Sequence, residues 1–414
     1  MLNQLYSQDS IMRYLRGGPL GPHIDTFARS LEERGYLRKT LKRKIALVAD
    51  LSHWLKIEER QAETLTDALI DEFLKHRAKH GRTTAADRTA LRDLLVHLRD
   101  VGVIPRPTAR MDSNEDPVRE IETAFVKHLA SVRSLSRGTQ TNYSTFARQF
   151  LEERYPTGPI TLCTLCSTDV TDFILRHTKH LSSWSVKVMG NSLRSFFRFL
   201  YQRGDTKANL AASIPRMKFF RTVHLPEFLQ PSEVERLLDS CDRHTVTGRR
   251  DYAILILLAR LGLRSGEVVR LTLEDIDWKK GEITVEGKSA RVNTLPIPHD
   301  VGKALADYLQ HGRPRCSSRK VFIRVRPPFT GLVATQSISN VFRQALNRTG
   351  LDPYHKGARV LRHSLATRML RAGNTLDEIG SILGHRQRST TKIYAKVNTE
   401  ALRSLALPWP GGGS

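Results

Sequence analysis

Cysteines are few in this sequence, and they do not form a recognisable framework. Cys163, Cys166, Cys241 and Cys316 are the only four in 414 residues. Cys163 and Cys166 form a C-x-x-C motif, but no second Cys or His pair follows them at zinc-finger spacing. We therefore interpret this pair as small apolar residues near the start of a helix, and we predict no metal site.

Long apolar segments are also lacking. The longest uninterrupted apolar run, at 253–259, is far shorter than the roughly 18 residues that a membrane span needs. The first residues do not show the basic, apolar and small-residue pattern of a signal peptide. We therefore expect a cytoplasmic protein without a membrane partner.

Acidic residues are too few to balance the basic ones. The chain has 66 Lys and Arg against 42 Asp and Glu, which gives a formal net charge of +24. A surplus of this size favours a polyanionic partner, although charge alone does not distinguish DNA from RNA or anionic lipid. The length and the 40% hydrophobic content suffice for two or three domains with cores of their own.

Two non-periodic segments divide the chain. Residues 103–117 are rich in proline and polar residues, and residues 213–231 are basic with several prolines. Such compositions are typical of linkers. They predict an N-terminal extension, a second domain, a third domain and a tail, at 1–105, 113–214, 229–398 and 399–414.

The first two blocks are predicted to be helical, because their apolar residues recur at three- and four-residue spacing. The predicted segments are 27–55, 64–79, 85–101, 118–131, 139–153, 168–178 and 183–203. Phe27 and Leu31 fall at the same offsets as Phe125 and Leu129. A duplicated helical module and two unrelated amphipathic bundles explain this match equally well.

The third block mixes helices with a short alternating segment. Alternation at 281–298 around "EGK" predicts a β-hairpin, and "KVFIRV" at 320–325 predicts a third strand. The predicted helices are 231–241, 250–276, 335–350, 361–372, 375–383 and 390–397. The expected fold is mainly α, with a small antiparallel β-sheet in the C-terminal domain.

Several polar residues of the third block suit phosphodiester chemistry without a metal. Such chemistry needs cationic donors to the non-bridging oxygens, a nucleophile, and an acid for the leaving oxygen. Arg264 lies at a predicted helix junction, and Lys288 lies at the predicted hairpin tip. Arg362 lies at a helix start, His385 follows a helix-ending glycine, and Tyr394 lies in the last helix. Taken singly, each has an ordinary structural explanation, such as a solvated cap or a turn residue.

The order of these motifs is more specific than any one of them. "GLRSGE", a hairpin with "GK", "LRHSLAT", "LGH" and a tyrosine nine residues later follow one another. Over about 115–398 this resembles the tyrosine recombinase (phage integrase) family. The resemblance implies a SAM-like helical core-binding domain and an integrase-type catalytic domain that form a C-shaped clamp around duplex DNA. It also implies site-specific cleavage and rejoining of DNA without metal, nucleotide or other cofactor.

The same resemblance implies roles for individual residues. Tyr394 would attack the scissile phosphate and form a 3′-phosphotyrosine, leaving a free 5′-hydroxyl. Arg264 and Arg362 would hold the non-bridging oxygens. Lys288 would protonate the leaving 5′-oxygen.

Two further residues and one departure complete the predicted site. His385 would donate to the phosphate and Glu267 would brace the pocket. The family usually has a histidine three residues before the second arginine, where this chain has Arg359. Guanidinium cannot act as a base near neutral pH. Arg359 is therefore a third cationic clamp, or His363 or His355 supplies the missing group, or activity is impaired.

The expected partner is double-stranded DNA with recombination sites made of inverted half-sites. The residues predicted to contact DNA are Arg148, Lys187, Arg194, Lys218, Arg221 and His363. The resemblance implies a homo-oligomer, a tetramer on two duplexes, together with other recombinases of the same element. The apolar stripe in the tail (Leu402, Leu405, Leu407 and Trp409) is predicted to dock on a neighbouring protomer.

The N-terminal extension favours one biological role over others. We predict integration, excision or transposition of a mobile element, because compact resolvases need only the two core domains. Resolution of chromosome or plasmid dimers, a type IB topoisomerase and a catalytically impaired DNA-binding accessory protein are the alternatives. The basic segment 37–46 predicts added DNA contacts in the extension, although a solvated helix face explains it equally well.

Overall fold

A computed structural model describes most of the chain. The described residues are 1–79, 83–105, 117–156, 159–215, 226–287, 292–385 and 388–395. Their contacts form two compact units, Met1–Arg106 with Leu225–Ser414, and Pro107–His224. No described helix is both long and apolar enough to cross a membrane.

The N-terminal part of the first unit is helical. Its helices are α1 Leu2–Leu5, α2 Asp9–Leu15, α3 Ile24–Glu33, α4 Arg38–Ile57, α5 Asp67–Lys79 and α6 Ala85–Asp100. The predicted segment 27–55 is two helices, because Gly35 adopts a left-handed conformation (φ +83°) after α3. Lys44 in the basic segment is buried and paired with Asp93, so this lysine belongs to the core and not to a solvated face.

The second unit is a four-helix arrangement with an aromatic core. Its helices are α7 Pro117–Ser131, α8 Arg137–Arg154, α9 Ser167–Thr178 and α10 Ser183–Arg203. Phe125, Phe150 and Phe196 are fully buried and contact neighbouring rings at centroid distances of 5.1 to 5.4 Å. At the start of α9, Cys166 takes part in a capping box with Asp169, and the cysteines of the C-x-x-C motif are free thiols.

The two helical sets share one series of elements. Helices α3 and α4, like α7 and α8, are followed by a 3₁₀ turn and two further helices, and the turns are Ala62–Thr64 and Leu162–Thr164. The N-terminal set has α1, α2 and a further 3₁₀ turn at Gly21–His23 before this series. Phe27 and Phe125, which occupy equivalent offsets, are both fully buried. A duplicated module stays a prediction.

The C-terminal part of the first unit packs around one buried helix. Its helices are α11 Pro231–Asp239, α12 Val246–Arg260, α13 Ser265–Arg270, α14 His299–Asp307, α15 Thr335–Thr349, α16 Arg359–Arg371, α17 Leu376–Ile382 and α18 Arg388–Ala395. The apolar run at 253–259 lies in α12 and is buried throughout, because α11, α14, α15 and α16 all pack on that helix.

The sheet of this part differs from the prediction in one strand. The order is β1 Ile276–Asp277, β2 Glu282–Glu286 and β3 Val292–Pro296, all antiparallel, with Ile283 opposite Leu295. The hairpin is confirmed, but the strand predicted at 320–325 is wrong. Lys320 and Ile323 form only isolated bridges, because this apolar run is buried as an irregular segment in the core. Helix α14 had not been predicted.

The N-terminal and C-terminal parts of the first unit touch at the corner between α3 and α4. The backbone N–H of Phe329 donates to the carbonyl of Arg34 at 3.1 Å. A Cβ on Gly35 would lie 2.2 Å from Cδ2 of the Phe329 ring. The absence of a side chain at this glycine therefore permits both the left-handed turn and the close approach of the ring.

Candidate active site

Arg362 is the most enclosed cation of the predicted site. Its side chain lies on α16 and is 6% exposed. Nη1 donates to the carbonyl of Gly262 at 2.6 Å, and Nη2 donates to the carbonyl of Leu383. These carbonyls follow the ends of α12 and α17. Burial, and then the charge of Arg264, lower the pKa of Arg362 to about 10, so the guanidinium stays protonated at neutral pH.

Gly262 permits this arrangement through its shape. It has a left-handed conformation (φ +61°), and a Cβ there would lie 2.7 Å from Cδ2 of Leu383 and 3.0 Å from Cδ2 of Leu365. An L side chain would be strained at this φ and would also collide with both leucines. The turn after α12 therefore brings the Gly262 carbonyl against Arg362 only because the residue is glycine.

Arg264 lies at the start of α13 and is held by Glu267. The buried Glu267 carboxylate accepts from the backbone N–H of Arg264 at 2.8 Å and from its Nη1 at 2.6 Å. Nη2 is 3.5 Å from the carbonyl of Gly384. The Arg264 side chain is 41% exposed, so it is fixed at one side and open to solvent at the other.

His385 follows the left-handed Gly384, where the backbone turns after α17. Its backbone N–H donates to the carbonyl of Gly380 at 2.9 Å, and its Nδ1 is 2.8 Å from Oγ1 of Thr391. Burial, and then the charges of Arg362 and Arg264, lower the pKa of His385 to about 4. The imidazole is therefore neutral near pH 7.

Tyr394 is buried and faces two histidines. It is 1% exposed and belongs to a small apolar cluster with Leu365 and Leu383. Its hydroxyl is 2.8 Å from Nδ1 of His363, and its ring is nearly parallel to that of His385 at a centroid distance of 6.4 Å. Burial raises the pKa of Tyr394, and the charge of Arg362 opposes this effect.

Arg359 and His363 lie one turn apart on α16. Burial, and then the charges of Arg359 and Arg362, lower the pKa of His363 to about 4. Arg359 itself is exposed, and within the described part of the chain it has no recorded hydrogen bond or ion pair. The other candidate for the missing group, His355, also acts on the pKa of His363, but it is held by Glu227, which accepts from its backbone N–H at 2.7 Å and lies 3.0 Å from its Nδ1.

Lys288 cannot be placed in this site, because 288–291 lie outside the described residues. The strands that flank it are described, and β3 approaches the site. A Cβ on Gly384 would lie 3.7 Å from Nδ2 of Asn293. The loop end of β3 therefore lies beside the turn that carries His385.

The residues predicted to bind DNA have mixed surroundings. Arg148 pairs with Glu122, Arg194 donates to the carbonyls of Ile214 and Pro215, and Lys187 on α10 is half-buried. Lys218, Arg221 and the tail at 399–414 lie outside the described residues. Their contacts with DNA stay predictions.

Sequence reasoning predicted Glu267, which holds Arg264, but it did not identify the groups that hold Arg362. The carbonyls of Gly262 and Leu383 carry no sequence signal, because every residue has a carbonyl group. His363 was predicted to contact DNA and was also one of two candidates for the missing group, and it contacts the hydroxyl of Tyr394. Its position directly after Arg362 and one turn after Arg359 was the available signal, because residues four apart share a helix face.

Comparison with known proteins decides the family. The family model described as "Phage integrase family" matches residues 227–401. The model described as "Phage integrase, N-terminal SAM-like domain" matches residues 123–204. An integrase/recombinase of Sinorhizobium fredii, y4rA, is 42% identical over 394 residues, which is 95% of either chain. This chain is a tyrosine recombinase of the phage integrase family. It therefore cleaves and rejoins DNA at specific sites.

Other similarities support the family and the fold. This recombinase is 32% identical to a tyrosine recombinase XerC of Roseiflexus castenholzii. The match covers 67% of this chain and 89% of the relative. The structure of the XerH recombinase bound to its difH substrate is similar, with a TM-score of 0.55, 19% identity and coverage of 69% and 83%. A lambda integrase dimer bound to a core site has a TM-score of 0.51 at 17% identity, with coverage of 67% and 94%. These two structures show the shared fold.

Replacing Gly262 with alanine should destabilise the recombinase more than the same change at Gly281. Both glycines have positive φ, +61° and +66°, but nothing lies within 4 Å of a Cβ on Gly281. We expect Gly281→Ala to cost about 1 kcal/mol through backbone strain, and Gly262→Ala about 1–3 kcal/mol more through crowding. Denaturant unfolding at one pH measures both. Equal losses would mean that the leucines move aside freely.

Proposed function

We propose that Tyr394 is the nucleophile of this recombinase. The observation that supports this proposal most is the location of its buried side chain. Tyr394 lies in the same apolar cluster as Leu383, and the carbonyl of Leu383 accepts a hydrogen bond from Arg362. A phenol needs help to lose its proton, and nearby cations stabilise the phenolate. The charges of Arg362, Arg359 and Arg264 all act in this direction. Attack on phosphorus would give a 3′-phosphotyrosine.

Arg264 and Arg362 are proposed to bind the non-bridging oxygens of the scissile phosphate. Arg362 donates from its Nη groups to two neutral carbonyls and forms no ion pair with the nearby Glu267, so its remaining N–H groups are proposed to donate to the phosphate. The exposed side of the Arg264 guanidinium is proposed to bind the phosphate, while Glu267 forms an ion pair with the other side. Planar guanidinium groups bind phosphate oxygens well because their N–H groups match the oxygen spacing.

Lys288 and His385 are proposed to complete the chemistry. The loop end of β3 beside Gly384 supports a role for Lys288, in the adjoining hairpin loop of the sequence, in protonating the leaving 5′-oxygen. His385 has its Nδ1 engaged with Thr391, which leaves Nε2 to donate to the phosphate. No metal or nucleotide is needed in this scheme, because the phosphotyrosine bond retains the energy of the broken linkage.

Replacing Tyr394 with phenylalanine should abolish covalent attachment to DNA and leave affinity within a few-fold. The change removes one oxygen and keeps the cations. The probe is a nicked duplex, selected from a randomised library for covalent capture by the parent chain. Adduct formation is measured on denaturing gels and affinity by gel retardation. An adduct that persists in the Phe variant would place the nucleophile elsewhere, and a parent chain that captures nothing would favour the accessory-protein alternative.

Arg359 is proposed to be a third cationic contact to the phosphate. It is exposed at the start of α16, and it acts on the pKa of both His363 and Tyr394, so it lies close to the reacting groups. A guanidinium there adds positive charge but no proton acceptor.

On the selected duplex, Arg359→His should therefore lower the cleavage rate, by roughly tenfold or more, because a neutral imidazole loses the charge. Arg359→Lys should retain most of the rate, since it keeps the cation. Single-turnover adduct formation measures both. A histidine variant faster than the parent would show that position 359 needs a proton acceptor and not a charge.

The biological role proposed is movement of a mobile element. The relative y4rA matches 95% of this chain, extension included, whereas the XerC relative matches 67%. This difference favours an integrase with an extension over a compact dimer resolvase. We also propose that a tetramer acts on two duplexes with inverted half-sites in the cytoplasm, with the tail docked on a neighbouring protomer and with other recombinases of the element as partners.

The N-terminal bundle is proposed to add DNA contacts. From α3 onward, its elements follow the order of the second unit, which the SAM-like description matches. On α4, Lys39 and Arg43 are exposed and carry no recorded partner among the described residues. They extend the basic surface that phosphate binding requires.

The double variant Lys39→Gln and Arg43→Gln should reduce the dependence of DNA binding on salt. If each residue neutralises one phosphate, the slope of log K against log salt should fall by about 1.8. The matched control is Lys56→Gln with Arg60→Gln, two exposed basic residues at the other end of α4 and beyond it. Equal slopes for the two variants would contradict a DNA contact at Lys39 and Arg43.

A further inference from the structure

The hydroxyl of Tyr394 has one recorded hydrogen-bond partner in the described part of the chain. That partner is Nδ1 of His363, at 2.8 Å, with the two ring centroids 5.6 Å apart. The tyrosine is 1% exposed, so bulk water does not surround the hydroxyl. A group that receives the phenolic proton must therefore already lie beside it.

His363 and Arg362 are adjacent on α16, which packs on α12, α17 and α18. Arg362 donates through both Nη groups to the carbonyls of Gly262 and Leu383. His363, the next residue, contacts the hydroxyl of Tyr394 on α18. The same turn of α16 therefore carries the buried cation and the group beside the tyrosine.

We propose that His363 accepts the Tyr394 proton during strand cleavage and returns it during rejoining. The inference rests on the proposed function of Tyr394 as nucleophile. As the bond from the tyrosine oxygen to phosphorus forms, its proton moves to Nδ1 of His363. The bond from phosphorus to the 5′-oxygen breaks, and that oxygen takes a proton from Lys288. Rejoining reverses each transfer, so the enzyme ends with its starting protons.

The protonation state of His363 suits this role. A neutral imidazole with its proton on Nε2 has an unprotonated Nδ1 that can accept. The pKa of His363 is lowered to about 4 by burial and then by Arg359 and Arg362, so this form predominates near pH 7. A bound phosphate carries the opposite charge to these arginines. It therefore raises the pKa of His363 and makes the imidazole a stronger base when DNA is present.

The other groups near the tyrosine are less suited. The guanidinium of Arg359 carries only hydrogen-bond donors, so it offers no acceptor for the proton. His385 stacks beside the ring and has its Nδ1 engaged with Thr391. His363 is thus the imidazole that compensates for the arginine at position 359.

The test compares variants that separate hydrogen bonding from proton transfer. In His363→Asn, the amide oxygen can replace Nδ1 as an acceptor but cannot take up a proton near pH 7. We expect single-turnover adduct formation on the selected nicked duplex to fall by about 10²- to 10⁴-fold, with affinity within a few-fold. His363→Gln serves as a second variant if the first does not fold. The matched control is His311→Asn, whose side chain is 60% exposed and contacts Asp307.

A second substrate separates the base from the acid. Sulfur in place of the leaving 5′-oxygen departs without a proton, because thiols are much stronger acids than alcohols. Lys288→Ala should recover on this substrate, whereas His363→Asn should stay slow, because the tyrosine must still lose its proton. The inference is overturned if His363→Asn cleaves within about threefold of the parent, or if sulfur restores its rate. Loss of the adduct in Tyr394→Phe together with either result would leave the proposed nucleophile intact and remove only the role of His363.

Discussion

The arrangement of the active site depends on the two hydrogen bonds that Arg362 makes to backbone carbonyls. The Gly262 and Leu383 carbonyls lie at separate turns, and the guanidinium joins both to α16. Both bonds are to neutral carbonyls, and the Glu267 carboxylate acts on the charge of Arg362 without bonding to it in the structure. Arg264 shows the contrasting solution, because Glu267 braces it through an ion pair and its outer edge stays exposed. A carboxylate in place of one of these carbonyls would also hold the Arg362 side chain. Its negative charge would weaken the attraction of Arg362 for DNA.

The cations of the candidate site shift the pKa of its histidines and tyrosine in a direction that a bound phosphate would oppose. The charges of Arg264 and Arg362 lower the pKa of His385, and those of Arg359 and Arg362 lower the pKa of His363. Both histidines are consequently neutral. The same cations favour the tyrosinate form of Tyr394, against the larger effect of burial. A phosphate bound among the arginines would carry a negative charge that opposes their effect. Substrate binding would therefore raise the proton affinity of both histidines.

Sequence patterns predicted the elements better than their contacts. The helices of the second unit and the hairpin were predicted because their apolar residues recur with helix or strand periodicity. Residues 320–325 were predicted as a strand because burial of an irregular segment gives the same apolar run as a strand. The two-residue strand β1 is too short to show alternation. Motif order predicted Arg264, Arg362, His385 and Tyr394 as site residues, and these roles stay predictions. The contact between His363 and Tyr394 could not be predicted in this way, because it depends on tertiary packing between residues 31 positions apart.

The amino acid that becomes attached to DNA is the most direct measure of where the chemistry occurs. The adduct with the selected nicked duplex can be digested with trypsin, treated with nuclease and analysed by mass spectrometry. We predict that the nucleotide is found on the peptide "IYAK" at 393–396, which contains Tyr394, and that the released strand carries a 5′-hydroxyl. The assignment of Tyr394 as nucleophile would be contradicted by a nucleotide on "TGLDPYHK" at 349–356, which contains the exposed Tyr354. A released 5′-phosphate would contradict the 3′-phosphotyrosine.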